Sequence, residues 1–231
     1  MQELNEAVVR DRQAFGYLKH KIGYLKHKKH SVHIDLITKF LANIPPGGGA
    51  VLDLGCGPGP TTKLLAGKGF SVTAVDFSPE SLRLNAESCA ELSPPPTFVC
   101  ADLRTWQPER DVAEGLMMSD FLQHIGDAKT QKAALSRYFS GLKPGGWFYL
   151  SFMNFNLKNR IKGDREGVWS GAIPYRRMNA YEVAAMLPEG VRPLAAQYAN
   201  ISHDTRLDAV LRRLPGAQWM ARWALISGRK L

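Results

Sequence analysis

The chain has 231 residues, a net charge of +9 and 45% hydrophobic residues, which suits one domain of the larger kind, or one core with appendages. Its three cysteines, Cys56, Cys89 and Cys100, form no even-numbered framework and no paired ligand spacing, which argues against a disulfide scaffold or a thiolate metal centre. The apolar runs fall far short of the ~20 residues a membrane span needs, and the first thirty residues are too charged for a signal peptide, so the expectation is a cytoplasmic protein.

The charge is uneven. Met1 to Pro45 carries +4, Pro46 to Leu150 carries −2, and Ser151 to Leu231 carries +7. The flanks supply the whole positive excess, which points to an anionic small-molecule acceptor or an anionic surface bearing it. Within the first flank, Gly16 to Ile22 is repeated as Gly23 to Lys29 with one change. On a helix, Phe15, Leu18, Ile22 and Leu25 share a stripe flanked by lysines, an amphipathic pattern read as a lid over a cleft, with membrane-surface contact as the sharper alternative. His20, His27, His30 and His33 have no acidic partner at fixed spacing, and no metal is assigned. A second helix is expected from about Ser31 to Ile44, ended by the run Pro45-Pro46-Gly47-Gly48-Gly49.

Next comes the most informative stretch, Val51-Leu52-Asp53-Leu54-Gly55-Cys56-Gly57-Pro58-Gly59-Pro60. An apolar strand ends in a turn with glycines at alternate positions, followed by a helix from Thr61 to Gly67. Such a turn brings bare peptide groups against a ligand. A second apolar run, Phe70 to Val75, ends in Asp76, a carboxylate placed to bond the two hydroxyls of a ribose. The glycine spacing, with Pro60 where a dinucleotide turn has its last glycine, departs from a dehydrogenase fingerprint. Asp53 would sit badly beside a pyrophosphate and well beside the α-ammonium of an amino acid. A nucleoside carrying an amino acid is S-adenosylmethionine (SAM).

With these residues the sequence resembles the class I SAM-dependent methyltransferases, whose first motif Val51 to Gly59 matches. The resemblance extends through Asp76, through Asp102 and Leu103 after a third strand, and through a fourth strand (Gly115 to Ser119) opening into the loop Asp120 to Ile125. A helix from about Asp127 to Leu142, the turn Lys143-Pro144-Gly145-Gly146 and a fifth strand (Trp147 to Phe152) complete it. The implied fold is α/β, a Rossmann-like, seven-stranded, mostly parallel sheet with helices on both faces. The expected single domain divides into an N-terminal helical lid (1–45), a SAM-binding core (46–152), a cap insertion (153–178) and the C-terminal part of the sheet (179–231). The cap, Asn154 to Met178, reads as polar and irregular. Asn179 to Glu182 resembles a capping box that starts a helix ending near Leu187. Strands near Val191 to Ile201 and Met220 to Ser227 close the sheet, the last antiparallel.

The cofactor implied is SAM, held by Asp53, Gly55, Cys56, Gly57, Gly59, Asp76, Phe77, Asp102, Leu103 and Ser119. Methyl transfer is an in-line displacement that needs alignment, and a base when the nucleophile is a hydroxyl or ammonium. His124 in the loop after the fourth strand is the first candidate base, because histidine changes protonation near neutrality; Asp120 is the second. Tyr175 and Arg176 are expected to hold the acceptor from the cap. The function expected is O- or N-methylation of a small, anionic acceptor. The alternatives are a nucleic-acid methyltransferase using the basic flanks, and a non-catalytic SAM-binding protein. The sequence names neither the acceptor nor the methylated atom, and gives no oligomeric state.

Overall fold

A computed structural model describes residues 6, 9–11, 32–47, 49–170, 172–202 and 205–231. The repeated heptads and the four histidines through His33 therefore lie outside the described side chains. Residues 6 and 9–11 are helical; helix α1 (Val32–Ala42) follows, and the chain then alternates: β1 (Ala50–Leu54), α2 (Pro60–Gly67), β2 (Ser71–Asp76), α3 (Pro79–Ser88), β3 (Thr97–Cys100), β4 (Ala113–Ser119), α4 (Ala128–Ser140) and β5 (Leu142–Met153). After β5 come α5 (Leu157–Ile161), a hairpin of β6 (Glu166–Trp169) and β7 (Ile173–Arg176), α6 (Ala180–Met186), β8 (Val191–Ala199), α7 (Thr205–Leu211), α8 (Ala217–Met220) and β9 (Trp223–Lys230).

The main sheet has seven strands in the order β3-β2-β1-β4-β5-β9-β8. β1 to β5 run parallel, and β9 runs antiparallel between β5 and β8. The strand order reverses between β1 and β4, the place where open α/β sheets bind ligands.

Alternation along the strands builds the two faces of the core. Leu52 and Leu54, Leu116 and Met118, and Phe148, Leu150 and Phe152 point to one side, where α4 and α6 cover them with Leu135, Phe139 and Val183. Val51, Met117, Trp147 and Tyr149 point to the other, under Leu36 and Ile37 of α1 and Leu65 of α2. Aromatic pairs lock both layers: Phe139 meets Phe148 edge to face at 5.0 Å, and Phe40 lies 5.5 Å from Trp147.

Helix starts follow local chemistry. Ser78 Oγ accepts from Ser81 N, Asp127 Oδ1 from Thr130 N, and Asn179 Oδ1 from Glu182 N, at 3.1, 2.8 and 2.9 Å, each satisfying a donor of a first turn. The capping box at Asn179 thus starts α6 where its sequence places it.

Two expectations are revised. The fifth strand is longer than Trp147 to Phe152, because Leu142 already pairs with Ala113; the turn residues then loop out before Trp147 pairs with Gly115. The cap is ordered rather than irregular. Asn156 caps α5, and β6 and β7 pair from Glu166↔Arg176 to Trp169↔Ile173. A glycine in β6 and a proline in β7 mask this hairpin in the sequence, yet Ile173 is fully buried. Helices α7 and α8, between β8 and β9, had no sequence expectation at all.

Candidate active site

The turn after β1 is shaped by what must approach it. Gly55 has φ +67°, and a Cβ there would fall 2.5 Å from the Phe121 ring; Gly59, at φ +65°, would strike the Asn85 amide at 2.3 Å. These two positions let the loop after β4 and helix α3 close on the turn. Gly55 N and Cys56 N both donate to Val75 O, at 2.8 and 3.2 Å, tying the turn to β2.

Asp76 ends β2 inside this turn. Its Oδ2 accepts from Gly57 N at 2.9 Å and its Oδ1 from Ser78 N at 3.0 Å. Burial raises its pKa, opposed chiefly by those backbone donors. A carboxylate has about four acceptor sites, so two backbone bonds leave capacity for a vicinal diol. Asp53 lies behind the turn, 1% exposed, with Oδ2 accepting from Thr62 Oγ1 at 2.7 Å. Thr62 in turn accepts from Asn85 Nδ2 at 2.8 Å. Asp53 Oδ1 is buried without a partner among the described residues. Desolvation first, and then the Asp76 charge, push the Asp53 pKa up to about 7, a carboxyl that gains from a nearby cation.

In front of the turn a cleft is lined by Gly55, Asp76, Phe77, Asp102, Leu103 and Phe121, together with His124, Ile125, Glu6, Arg10 and Arg104. Charges alternate across it. Arg10 pairs with Glu6 at 3.6 Å, Glu6 with Arg104 at 3.3 Å, and Arg104 Nη2 with Asp102 Oδ2 at 2.8 Å. The hydrogen bond from Arg104 holds the Asp102 pKa below the usual carboxylate range. Asp11 Oδ1 accepts from Ser78 Oγ, fastening the N-terminal residues to the start of α3. The N-terminal flank therefore meets the nucleoside side of the cleft. Deleting it should cost cofactor affinity as well as acceptor turnover.

His124 closes a one-turn 3-10 helix, Leu122–His124. Its Nδ1 lies 2.7 Å from Pro174 O of β7. A carbonyl can only accept, so Nδ1 carries the proton and Nε2 the lone pair. Gln123 Nε2 approaches that lone pair at 3.5 Å while donating to Asp120 O at 2.6 Å. The Trp169 ring stands edge-on to the imidazole at 5.6 Å. Desolvation, then the Arg10 charge, depress the His124 pKa to about 4, so the ring is neutral at pH 7. The sequence-based expectation of a titration near the ordinary histidine value is corrected accordingly.

Other expected residues have different tasks. Asp120 adopts φ 59° and accepts from Ser151 Oγ at 2.9 Å, while its N–H donates to Ser151 O at 3.2 Å. These bonds bind the end of β4 to β5; Asp120 stands outside the cleft lining, as do Asp53, Ser119, Cys56, Gly57 and Gly59. Arg176 is 8% exposed and donates to Glu182 and, at 3.0 Å, to Gln131 Oε1. Gln131 Nε2 donates to Leu122 O at 3.2 Å. Arg176 therefore supports the loop carrying His124 from behind rather than reaching an acceptor. Tyr175 packs between Trp169, at 4.9 Å, and the Arg177 guanidinium, at 4.5 Å, and its hydroxyl donates to Asp164 Oδ1 at 2.7 Å. Glu6, Arg10 and Arg104 were not anticipated, since only tertiary folding brings them to the cleft, whereas Phe121 and Ile125 belong to the loop after β4 that the sequence singled out.

Residues 51–146 match the model of a family described as a methyltransferase domain. That stretch, from β1 to the turn before Trp147, supports a class I methyltransferase that uses SAM. A trans-aconitate 2-methyltransferase of Paracidovorax citrulli is 37% identical over 112 residues, 47% of this chain and 40% of that protein. A ubiquinone biosynthesis O-methyltransferase of Idiomarina loihiensis is 29% identical over 127 residues, 54% of this chain and 51% of its own length. The matches thus span about half the length of these curated relatives. Among solved structures, the 1,6-didemethyltoxoflavin-N1-methyltransferase of Burkholderia thailandensis superposes with a TM-score of 0.63 at 19% identity, covering 97% of this chain and 89% of that one. That likeness shows the fold. Of the residues lining the cleft, Asp76 retains acceptor capacity that fits the family's cofactor; Asp53, behind the turn, keeps a buried oxygen without a partner among the described residues.

Among the described residues no group of histidines, cysteines and acids is placed to hold a metal ion. No described helix is long and apolar enough to cross a membrane.

Proposed function

We propose that the chain methylates a hydroxyl or amine of a small anionic acceptor, with His124 taking the acceptor's proton. The observation that carries this reading is the His124 geometry: Nδ1–H is fixed by Pro174 O, Nε2 keeps the lone pair with Gln123 Nε2 3.5 Å away, and the residue lines the cleft. A neutral imidazole held in one tautomer and one orientation can accept a proton without rearranging. When bound, SAM supplies an electrophilic methyl on a sulfonium, and displacement by the acceptor's lone pair leaves a neutral thioether. Asp76 holds the ribose hydroxyls, Asp102 and Leu103 flank the base, and Asp53 lies behind the turn facing the amino-acid end.

Arg10 supports an anionic acceptor. It acts electrostatically on both Asp76 and His124, and its Nε has no partner among the described residues. The relatives' names, trans-aconitate and ubiquinone biosynthesis, support a small molecule over nucleic acid. The test is incubation with methyl-labelled SAM and separate pools of carboxylic acids, phenols, amines and bulk RNA. Label in a small acidic product is expected. Label in RNA alone, or SAM binding with no transfer to any pool, would overturn the proposal.

A further inference from the structure

The strand register places one whole rim of the molecule at the active edge. Met153 of β5 and Ala199 of β8 both pair with Trp223 of β9, so these three residues share the edge at which β1 and β4 open into the cleft. Everything attached there, α5, the β6–β7 hairpin, α7 and α8, lies beside the acceptor side of the site. Asn154 Nδ2 donates to Gln218 O and Ala221 O, at 2.8 and 2.9 Å, and Asn156 Nδ2 to Ala221 O at 3.2 Å, fixing α5 against α8.

This rim presents apolar side chains outward. Leu157 and Ile161 of α5 are 50% and 78% exposed, and Trp219 and Met220 of α8 are 47% and 62% exposed. Globular surfaces tolerate single exposed hydrophobes; a cluster on two joined helices marks an interaction surface. Cations surround it. Residues 155–169 and 205–222 hold eight basic residues and three acidic ones. Asp208 is fully buried, the Asp164 carboxylate is paired with Arg177, and among the cations Arg165 is paired with Glu182, so the outward charge stays positive. The Arg160 guanidinium lies over Phe155 and Trp219, at 4.8 and 5.3 Å, with its stem against the apolar surface.

We propose that this rim seats on an anionic phospholipid surface, with Leu157, Ile161, Trp219 and Met220 inserted at headgroup depth and the cleft opening beside the bilayer. Aliphatic tips, a tryptophan and a basic collar are the composition of an interfacial surface. A second copy of the chain is disfavoured as occupant, because this patch meeting itself would bring both collars of cations together. Nucleic acid is disfavoured because most of the exposed tips are aliphatic and offer bases no stacking face.

The test is flotation of the full chain with phosphatidylcholine vesicles, with and without phosphatidylglycerol. Binding should be strong only with the anionic lipid and should fall as salt is raised. Ile161→Glu with Met220→Glu should weaken partitioning at least ~10-fold through lost apolar burial. Because those changes risk local disorder, Lys158→Gln with Lys162→Gln serves as a second variant; each charge removed should cost about fivefold. Circular dichroism and SAM binding, both unchanged, confirm folding. Equal binding to neutral and anionic vesicles, or none to either, would overturn the proposal. So would self-association, or binding to an acidic peptide, that the same variants abolish while vesicle binding is absent. Flotation requires no turnover, so this result is independent of the methyl-transfer reading.

Discussion

The state of His124 can be measured directly through stability. Its folded pKa of about 4 lies below the ordinary 6.5, so the unfolded chain takes up this proton first as pH falls. The contribution is nil above the unfolded value. It becomes a loss of stability as pH drops through 6.5, and it levels off below about 4. The gap corresponds to roughly 3 kcal/mol by the usual conversion of 1.36 kcal/mol per pH unit. Replacing His124 with Gln keeps an amide donor for Pro174 O and removes the titration. Urea unfolding of parent and His124→Gln from about pH 7 to about pH 4 should give a stability difference that shifts by that amount against the parent. Taking the difference cancels Asp53 and Asp76, which titrate in both proteins. A difference that stays flat across the window would refute a buried, neutral imidazole. The kinetic counterpart is that kcat of the parent shows no limb near 6.5, while His124→Gln lowers kcat by ~10²–10⁴-fold with SAM affinity unchanged.

Asp53 titrates with the opposite sign. Its folded pKa near 7 exceeds the ordinary 3.8, so its stabilising contribution is complete below 3.8 and lost as pH rises through 7. Asp53→Asn should therefore raise the melting temperature of the ligand-free protein at pH 8 and weaken SAM binding; a variant that changes neither would remove Asp53 from the account. Asp164 anchors the cap through Tyr175 and Arg177, so Asp164→Ala should raise KM for the acceptor with little change in SAM affinity, as read by steady-state kinetics beside calorimetry. An equal loss of both would mean that the cap also shapes the cofactor half.

The nucleoside half of the site was legible because its chemistry is local. Glycines that need positive φ, a carboxylate closing β2 and an acid after β3 are written at fixed spacings along one βαβ path. The acceptor half was legible only in part. His124 could be placed by its distance beyond β4, but its ionisation depends on Pro174, Trp169 and Arg10, which arrive from two distant segments. Arg176 looked available in the sequence because arginine is seldom buried; the structure spends it on Glu182 and Gln131. The hairpin of the cap was hidden because its strands are four residues each, one broken by a glycine and the other by a proline, and leave no run long enough to read. Residues such as Glu6 and Arg10 carry no motif, and only folding shows what they face.

The central claim is a nucleoside site built for SAM, and Asp76 is the residue on which it turns. Isothermal calorimetry of the parent and of Asp76→Ala with SAM, S-adenosylhomocysteine and NAD tests it most directly. The account predicts micromolar-range binding of the first two and none of NAD. It also predicts a loss of about 1.5–3 kcal/mol in the variant, from two charge-assisted hydrogen bonds to the ribose. Binding of NAD with no binding of SAM, or SAM affinity indifferent to Asp76→Ala, would contradict it.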